Sequence, residues 1–216
     1  MAAEFKTDVK HDFDLEVVRD SFKNCHSQDN SLILDHYVNG YQELCRFFKL
    51  SGKLFGFVAS DLESKINILK THRKSENGNA YETIQSMIDY EVTNKITQTS
   101  GNPPSGSRTL LRLHRALGFI SEFMDRIAKS DDEAKTSVIA SEVYKGTLGL
   151  HHPWVVQKMA GLAMYMLPSR KQLIDTMCKQ NYEKALNTLP QVVTTLNPVY
   201  SITQELYETN DLLNLP

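Results

Sequence analysis

No known catalytic signature, no bilayer-length apolar run, no disulfide framework and no bias of charge occur in this chain. Each absence removes a class of function. The Gly-x-Gly-x-x-Gly of a dinucleotide site, the phosphate loop, His-Glu-x-x-His and Gly-x-Ser-x-Gly are all missing. Gly52-Lys53 lacks the upstream glycine of a phosphate loop and is followed by Leu54. The three cysteines, Cys25, Cys45 and Cys178, stand far apart with no Cys-x-x-Cys, which favours free thiols in a reducing compartment. The absence of any Asn-x-Ser/Thr sequon agrees with that. The stretch 1–14 is charged and has no apolar centre, so a secretory leader is not expected. The longest near-apolar stretch, 159–167, falls far short of the roughly 20 residues a spanning helix needs. With 24 Lys and Arg against 26 Asp and Glu, the formal charge is −2, which is no footprint for a general nucleic-acid binder. His151 and His152 are adjacent, so on a helix they do not face one another, and no carboxylate or cysteine pattern supports them. Neither a metal nor a cofactor is expected.

What is present is helical periodicity. The chain has 216 residues, 41% hydrophobic and 23% charged, which suits a single globular domain over 1–216, with 1–12 as a flexible extension. Apolar residues recur at three- and four-residue steps over 13–22, 32–49, 54–72, 81–97 and 108–129. The segment 100–107, with Gly101, Pro103, Pro104 and Gly106, is the clearest loop. Ser130-Asp131-Asp132-Glu133 has the form of a capping box opening the next helix. Pro153 suits the first turn of another, and Ser169 the cap of a short one that follows Pro168. The last segment, 181–210, carries Pro190 and Pro198 and is expected to be kinked or interrupted there. No β-alternation competes with this pattern. The expected fold is all-α, with about eight helices.

One cluster of charges stands out. Asp61 and Lys65 are four residues apart and share a helix face, as do Arg108 and Arg112. Leu110, Leu111, Leu113, Ala116, Leu117 and Ile120 crowd these arginines and leave little room for a solvated face. An unpaired buried charge costs several kcal/mol, and one aspartate does not balance three cations. The excess asks for an external anion, and the guanidinium fork suits phosphate. The alternative, an ordinary solvated helix face with Asp61–Lys65 as a surface pair, stays open on spacing alone. Trp154, the single tryptophan, reads equally as a core residue or as an anchor at a membrane interface.

Taken together, Ser60-Asp61 with Ser64-Lys65, Arg108-Thr109 through Arg112-Leu113-His114-Arg115-Ala116-Leu117, His152-Pro153-Trp154-Val155-Val156, and the run 212–216 resemble the glycolipid transfer protein family over nearly the whole chain. The combination is specific where no single piece is. The resemblance implies a two-layer helical sandwich, a lipid cargo and no enzymatic chemistry. Asp61 matches the family's ligand for the sphingoid amide nitrogen, and His152 its ligand for the amide carbonyl. Lys65, Arg108 and Arg112 match the phosphate-binding cations of the phosphate-selective branch. The sugar-selective branch has Asn in place of Lys65 and a stacking Trp in place of Arg112, and that platform is missing here. The implied partner is ceramide-1-phosphate or a similar phosphosphingolipid. The implied carrier is a cytoplasmic monomer that touches membranes transiently through Trp154. His114 and Arg115 share the pattern and read as structural.

A phosphomonoester carries about −1.5 to −2 charges near neutral pH, which a lysine and two arginines offset. Two tails of roughly sixteen carbons resist water by on the order of 25 kcal/mol, so a soluble carrier must enclose them. Phe47, Phe48, Phe55, Phe57, Phe119, Phe123, Met159 and Leu162 are the expected lining. Rival readings are a protein-binding helical adaptor, a lipid sensor with the same ligand, and a glycolipid carrier, the last disfavoured by Lys65 and Arg112. A lipid phosphatase would need a nucleophile or metal cluster near Arg112, and none is evident.

Overall fold

Five of the nine described helices begin at a side chain that caps their first turn, and one follows a proline. The computed structural model describes residues 10–216, and those residues form nine α-helices and no strand. Helix α1 (Leu15–Cys25) is capped by Asp14, whose carboxylate accepts the Glu16 and Val17 N–H groups. Helices α2 (Leu34–Leu50) and α3 (Gly56–Arg73) follow. Helix α4 (Ile84–Thr93) is shorter than the 81–97 expected. A Thr83–Ser86 capping box fixes its start, and Lys95 at φ 56° takes the chain out of helix beyond its end. Helix α5 (Gly106–Lys129) is capped by Ser105. Helices α6 (Thr136–Gly146), α7 (Trp154–Tyr165), α8 (Arg170–Met177) and α9 (Tyr182–Thr209) complete the chain.

Two local expectations are corrected. Ser130 to Glu133 form no capping box: the Ser130 hydroxyl donates to the Ile127 carbonyl at the end of α5, Arg170 donates to the Ser130 carbonyl and to Asp132, and α6 starts only after Lys135. Nor is the last segment interrupted: α9 runs 28 residues through Pro190 and Pro198. A mid-helix proline costs about 3 kcal/mol. Here Leu189, Val192, Leu196 and Val199 are buried against neighbours on both sides, and that packing outweighs the lost bonds. Ser169 caps α8 as expected, and Gln172 completes a capping box with it.

The architecture is the two-layer helical sandwich. Helix α1 packs on α2, α2 on α3, α3 on α5, α5 on α9, and α9 returns to α1. Helix α6 lies over α5, and α7 packs on α6. The main hydrophobic cluster draws on α1 to α5, α8 and α9. A separate small one, Ala140, Tyr144 and Met164, lies beneath α6 and α7. Most of the expected N-terminal extension lies outside the described residues. From Lys10 onward the chain is laced to the end of α8, with the His11 N–H on the Thr176 carbonyl at 2.7 Å and the Phe13 N–H on that of Met177 at 3.1 Å. No described helix is long and apolar enough to cross a membrane.

The α1–α2 contact is set by a glycine. A Cβ on Gly40 would stand 2.5 Å from Cε2 of the fully buried Phe22 ring. Gly40→Ala is expected to cost about 1–3 kcal/mol through overpacking, read as a lower urea midpoint at unchanged slope. An unchanged midpoint would contradict this close packing.

Candidate functional site

Between α5 and the helices facing it runs one cavity of about 660 Å³. Along α5 it is lined from Arg112 to Ile127, a path of about 22 Å at the helical rise. Its mouth carries Asp61, Lys65, Arg112, Arg115, His151 and His152. The walls below are almost wholly apolar and include Phe47, Phe48, Phe55, Phe57, Phe119 and Phe123. Six of the eight residues expected as lining are therefore there. Met159 and Leu162 are not: both are exposed on the outer face of α7, which turns Val156, Ala160, Ala163 and Met164 inward instead. A helix apolar all round gives no sequence signal for which side faces in.

The register of α5 decides where its arginines stand. The buried carboxylate of Glu91 accepts the N–H groups of Gly106 at 2.6 Å and Ser107 at 2.8 Å, and the Tyr81 hydroxyl at 2.9 Å. This negative charge sits where the helix dipole is positive. The Tyr207 hydroxyl donates to the Ser107 carbonyl at 2.6 Å, and the Tyr41 hydroxyl to that of Leu113. Held in this way, the helix presents Arg112 and Arg115 to the mouth. Arg108 lies one turn back and does not line the cavity, but it shares an acceptor with Arg112. The Pro216 main-chain oxygen takes Nε of Arg108 and Nη2 of Arg112, the latter at 2.6 Å. Arg112 also donates to the Arg108 carbonyl at 2.6 Å, and Arg115 to that of Leu213 at 2.7 Å. The segment 212–216, anchored by buried Leu212 and Leu215, thus orients all three guanidinium groups. Arg115 is more than the structural residue its sequence context suggests. His114 is buried, stacked on Tyr200 and bonded to Gln204 at 2.6 Å, as a structural residue should be.

Across the mouth, Lys65 on α3 bonds Asp61 one turn earlier. The lysine side chain is only 13% exposed and the aspartate 63%, so the ammonium points inward while the carboxylate keeps an open side. Among the described residues, three cationic side chains at the mouth face one acidic side chain. Arg112 is held below the ordinary arginine range by burial first and by the neighbouring Arg108 charge second. Arg115 is lowered by burial and by Arg112. An anion entering here relieves a repulsion that already exists.

His152 reaches the mouth from the turn before α7. Gln157 holds that turn by donating to the His152 carbonyl at 2.8 Å and to the Gly149 carbonyl at 3.1 Å. Burial lowers the His152 pKa, so the ring is neutral. Tyr144, raised by burial, keeps its proton, and its hydroxyl lies 2.7 Å from His152 Nδ1. A hydroxyl that donates there leaves the proton of the neutral ring on Nε2, where it can serve as a donor. Sequence spacing showed neither Tyr144 nor Gln157, because each acts through a contact between elements. Trp154 does not line the cavity; it is 69% exposed on the outer face of α7.

Residues 32–179 match the family model described as glycolipid transfer protein (GLTP). The ceramide-1-phosphate transfer protein of Danio rerio is 39% identical over 207 residues, covering 94% of this chain and 98% of its own. The crystal structure of apo mouse ceramide-1-phosphate transfer protein superposes with a TM-score of 0.89 at 39% identity, covering 95% of this chain and all of its own. That of the human protein in complex with 2:0 ceramide-1-phosphate gives 0.88 at 33% identity, with the same coverage.

The His152 geometry fixes a pH response. An unfolded histidine titrates at 6.5, and the folded His152 and His114 both titrate lower, chiefly through burial. Their contribution to stability is complete above pH 6.5 and is lost as pH falls through the lowered folded values. An NMR titration should place His152 below 6.5, and Tyr144→Phe should move it upward by removing a bond that favours the neutral ring. A wild-type midpoint at or above 6.5 would contradict the buried, neutral ring.

Proposed function

The chain belongs to the glycolipid transfer protein family, and on that premise we propose that it extracts ceramide-1-phosphate from one membrane and delivers it to another. One observation carries this reading: among the described residues, a mouth with three cationic side chains to one acidic side chain opens onto a continuous apolar hollow. Lys65, Arg108 and Arg112 hold the phosphate, whose two negative charges fit the local excess. Asp61 takes the sphingoid amide N–H on its open side, and His152 gives its Nε2 proton to the amide carbonyl. The tails lie in the phenylalanine-lined sleeve, out of water. No bond is made or broken in this cycle, so the protein acts as a carrier and not as an enzyme.

The outer face of α7 and the turn before it supply the docking surface. Leu150, Trp154, Val155, Leu162 and Tyr165 are each at least 60% exposed there, with Lys158 5.5 Å over the Trp154 ring. So large an apolar patch beside a cavity mouth suits the boundary of a bilayer, where tryptophan and tyrosine are favoured. One chain contains both mouth and sleeve, so a monomer suffices. The free thiols of Cys25, Cys45 and Cys178 support a reducing, cytoplasmic setting.

Arg112→Ala should lower vesicle-to-vesicle transfer of ceramide-1-phosphate by about tenfold or more, the scale of one charge-assisted hydrogen bond, with the circular dichroism spectrum unchanged. Full transfer by the folded variant would refute the phosphate site. Trp154→Ala should weaken partitioning to vesicles and slow transfer several-fold while leaving lipid binding in detergent intact. Wild-type partitioning would end the docking assignment.

A further inference from the structure

The lining farthest along α5 from Arg112 is Ile127, and the wall also includes Ile174 of α8, Leu189 of α9 and Phe13. Three of these belong to helices. Phe13 belongs to the short extended segment before α1, and it is 2% exposed. Its backbone is fixed on both sides, with its N–H on the Met177 carbonyl at 3.1 Å and its carbonyl accepting from Lys179 at 2.8 Å. Its ring meets Phe47 edge to face, 5.2 Å between centroids. Of the described residues just before it, Lys10 is exposed, and Asp12 is 69% exposed and turned to Arg46.

From this arrangement we propose that Phe13 is the floor of the sleeve and sets the length of acyl chain the protein accepts. The proposal rests on the carrier reading. A tail anchored by its headgroup at Arg112 has a fixed path of about 22 Å along α5. A chain that fills this path stops against the Phe13 ring. A longer one must fold back, leave the sleeve or displace the ring, and displacement breaks the edge-to-face contact with Phe47. The ring is held by backbone hydrogen bonds that do not depend on its side chain, so trimming it deepens the sleeve while the segment stays in place.

The test compares transfer of N-palmitoyl and N-lignoceroyl ceramide-1-phosphate between phosphatidylcholine vesicles by wild type, Phe13→Ala, Phe13→Leu and Phe13→Trp. Room for two more buried methylenes corresponds to about a tenfold rise in the lignoceroyl-to-palmitoyl ratio for Phe13→Ala. Phe13→Leu should show a smaller rise and Phe13→Trp a fall. The leucine and tryptophan variants carry the test should the alanine variant fail to fold. Ratios equal to wild type in folded variants that still transfer lipid would overturn the floor and leave the carrier reading standing. Transfer of neither lipid by wild type would overturn the carrier reading, and the floor with it.

Discussion

The structure turns on an imbalance of charge at the edge of a dry hollow. Among the described residues, Lys65, Arg112 and Arg115 share the mouth with a single acidic side chain, Asp61, and Arg108 stands one turn behind them. Elsewhere the chain balances its cations: Arg126 faces Glu122 and Glu142, and Arg170 faces Asp132. At the mouth the acceptors are main-chain oxygens, the carbonyls of Arg108 and Leu213 and the oxygen of Pro216. The two peptide carbonyls fix the direction of a guanidinium group without cancelling its charge. The site is therefore oriented and still attractive to an anion; Arg112 and Arg115 are lowered first by burial and then by the neighbouring arginine charge.

That imbalance is held in place by distant parts of the chain. Glu91 and Tyr81 fix the start of α5, Tyr207 and Tyr41 pin it from two other helices, and the segment 212–216 closes over its arginines. The opposite wall is built differently. Beneath α6 and α7 lies a cluster of only three fully buried residues, whereas the rest of the molecule shares one large core. Local opening is cheapest where the fewest apolar contacts are lost. The wall that carries the proposed docking face is thus the one whose separation from α5 costs least. In the proposed cycle, a rigid half selects the headgroup and a lightly held half admits the tails.

Much of this was legible in the sequence, because helices announce themselves by spacing. The apolar periodicity of α1, α2, α3 and α5 and the Ser169 cap follow from local rules. Asp61, Lys65, Arg112 and His152 were singled out from short segments, and the structure gathers them at one mouth, with Arg108 behind. What escaped depends on contacts between elements. Ser130 to Glu133 looked like a capping box because Arg170, which binds the Ser130 carbonyl and Asp132, lies far along the chain. The prolines of α9 looked like breaks because the packing that overrides them is tertiary. Met159 and Leu162 looked like lining because an all-apolar helix hides which face turns inward. Tyr144, Gln157 and the carbonyls of 212–216 carry no chemical signature of their own; each matters through what it orients.

The account stands on electrostatic choice of headgroup over an apolar sleeve indifferent to it. The most direct measurement is transfer by the unmodified protein of ceramide-1-phosphate and of ceramide with identical chains, side by side between neutral vesicles. The account predicts rapid movement of the phosphorylated lipid and little of the other, since ceramide fills the sleeve yet leaves the cations unanswered. Equal rates for the two would contradict it.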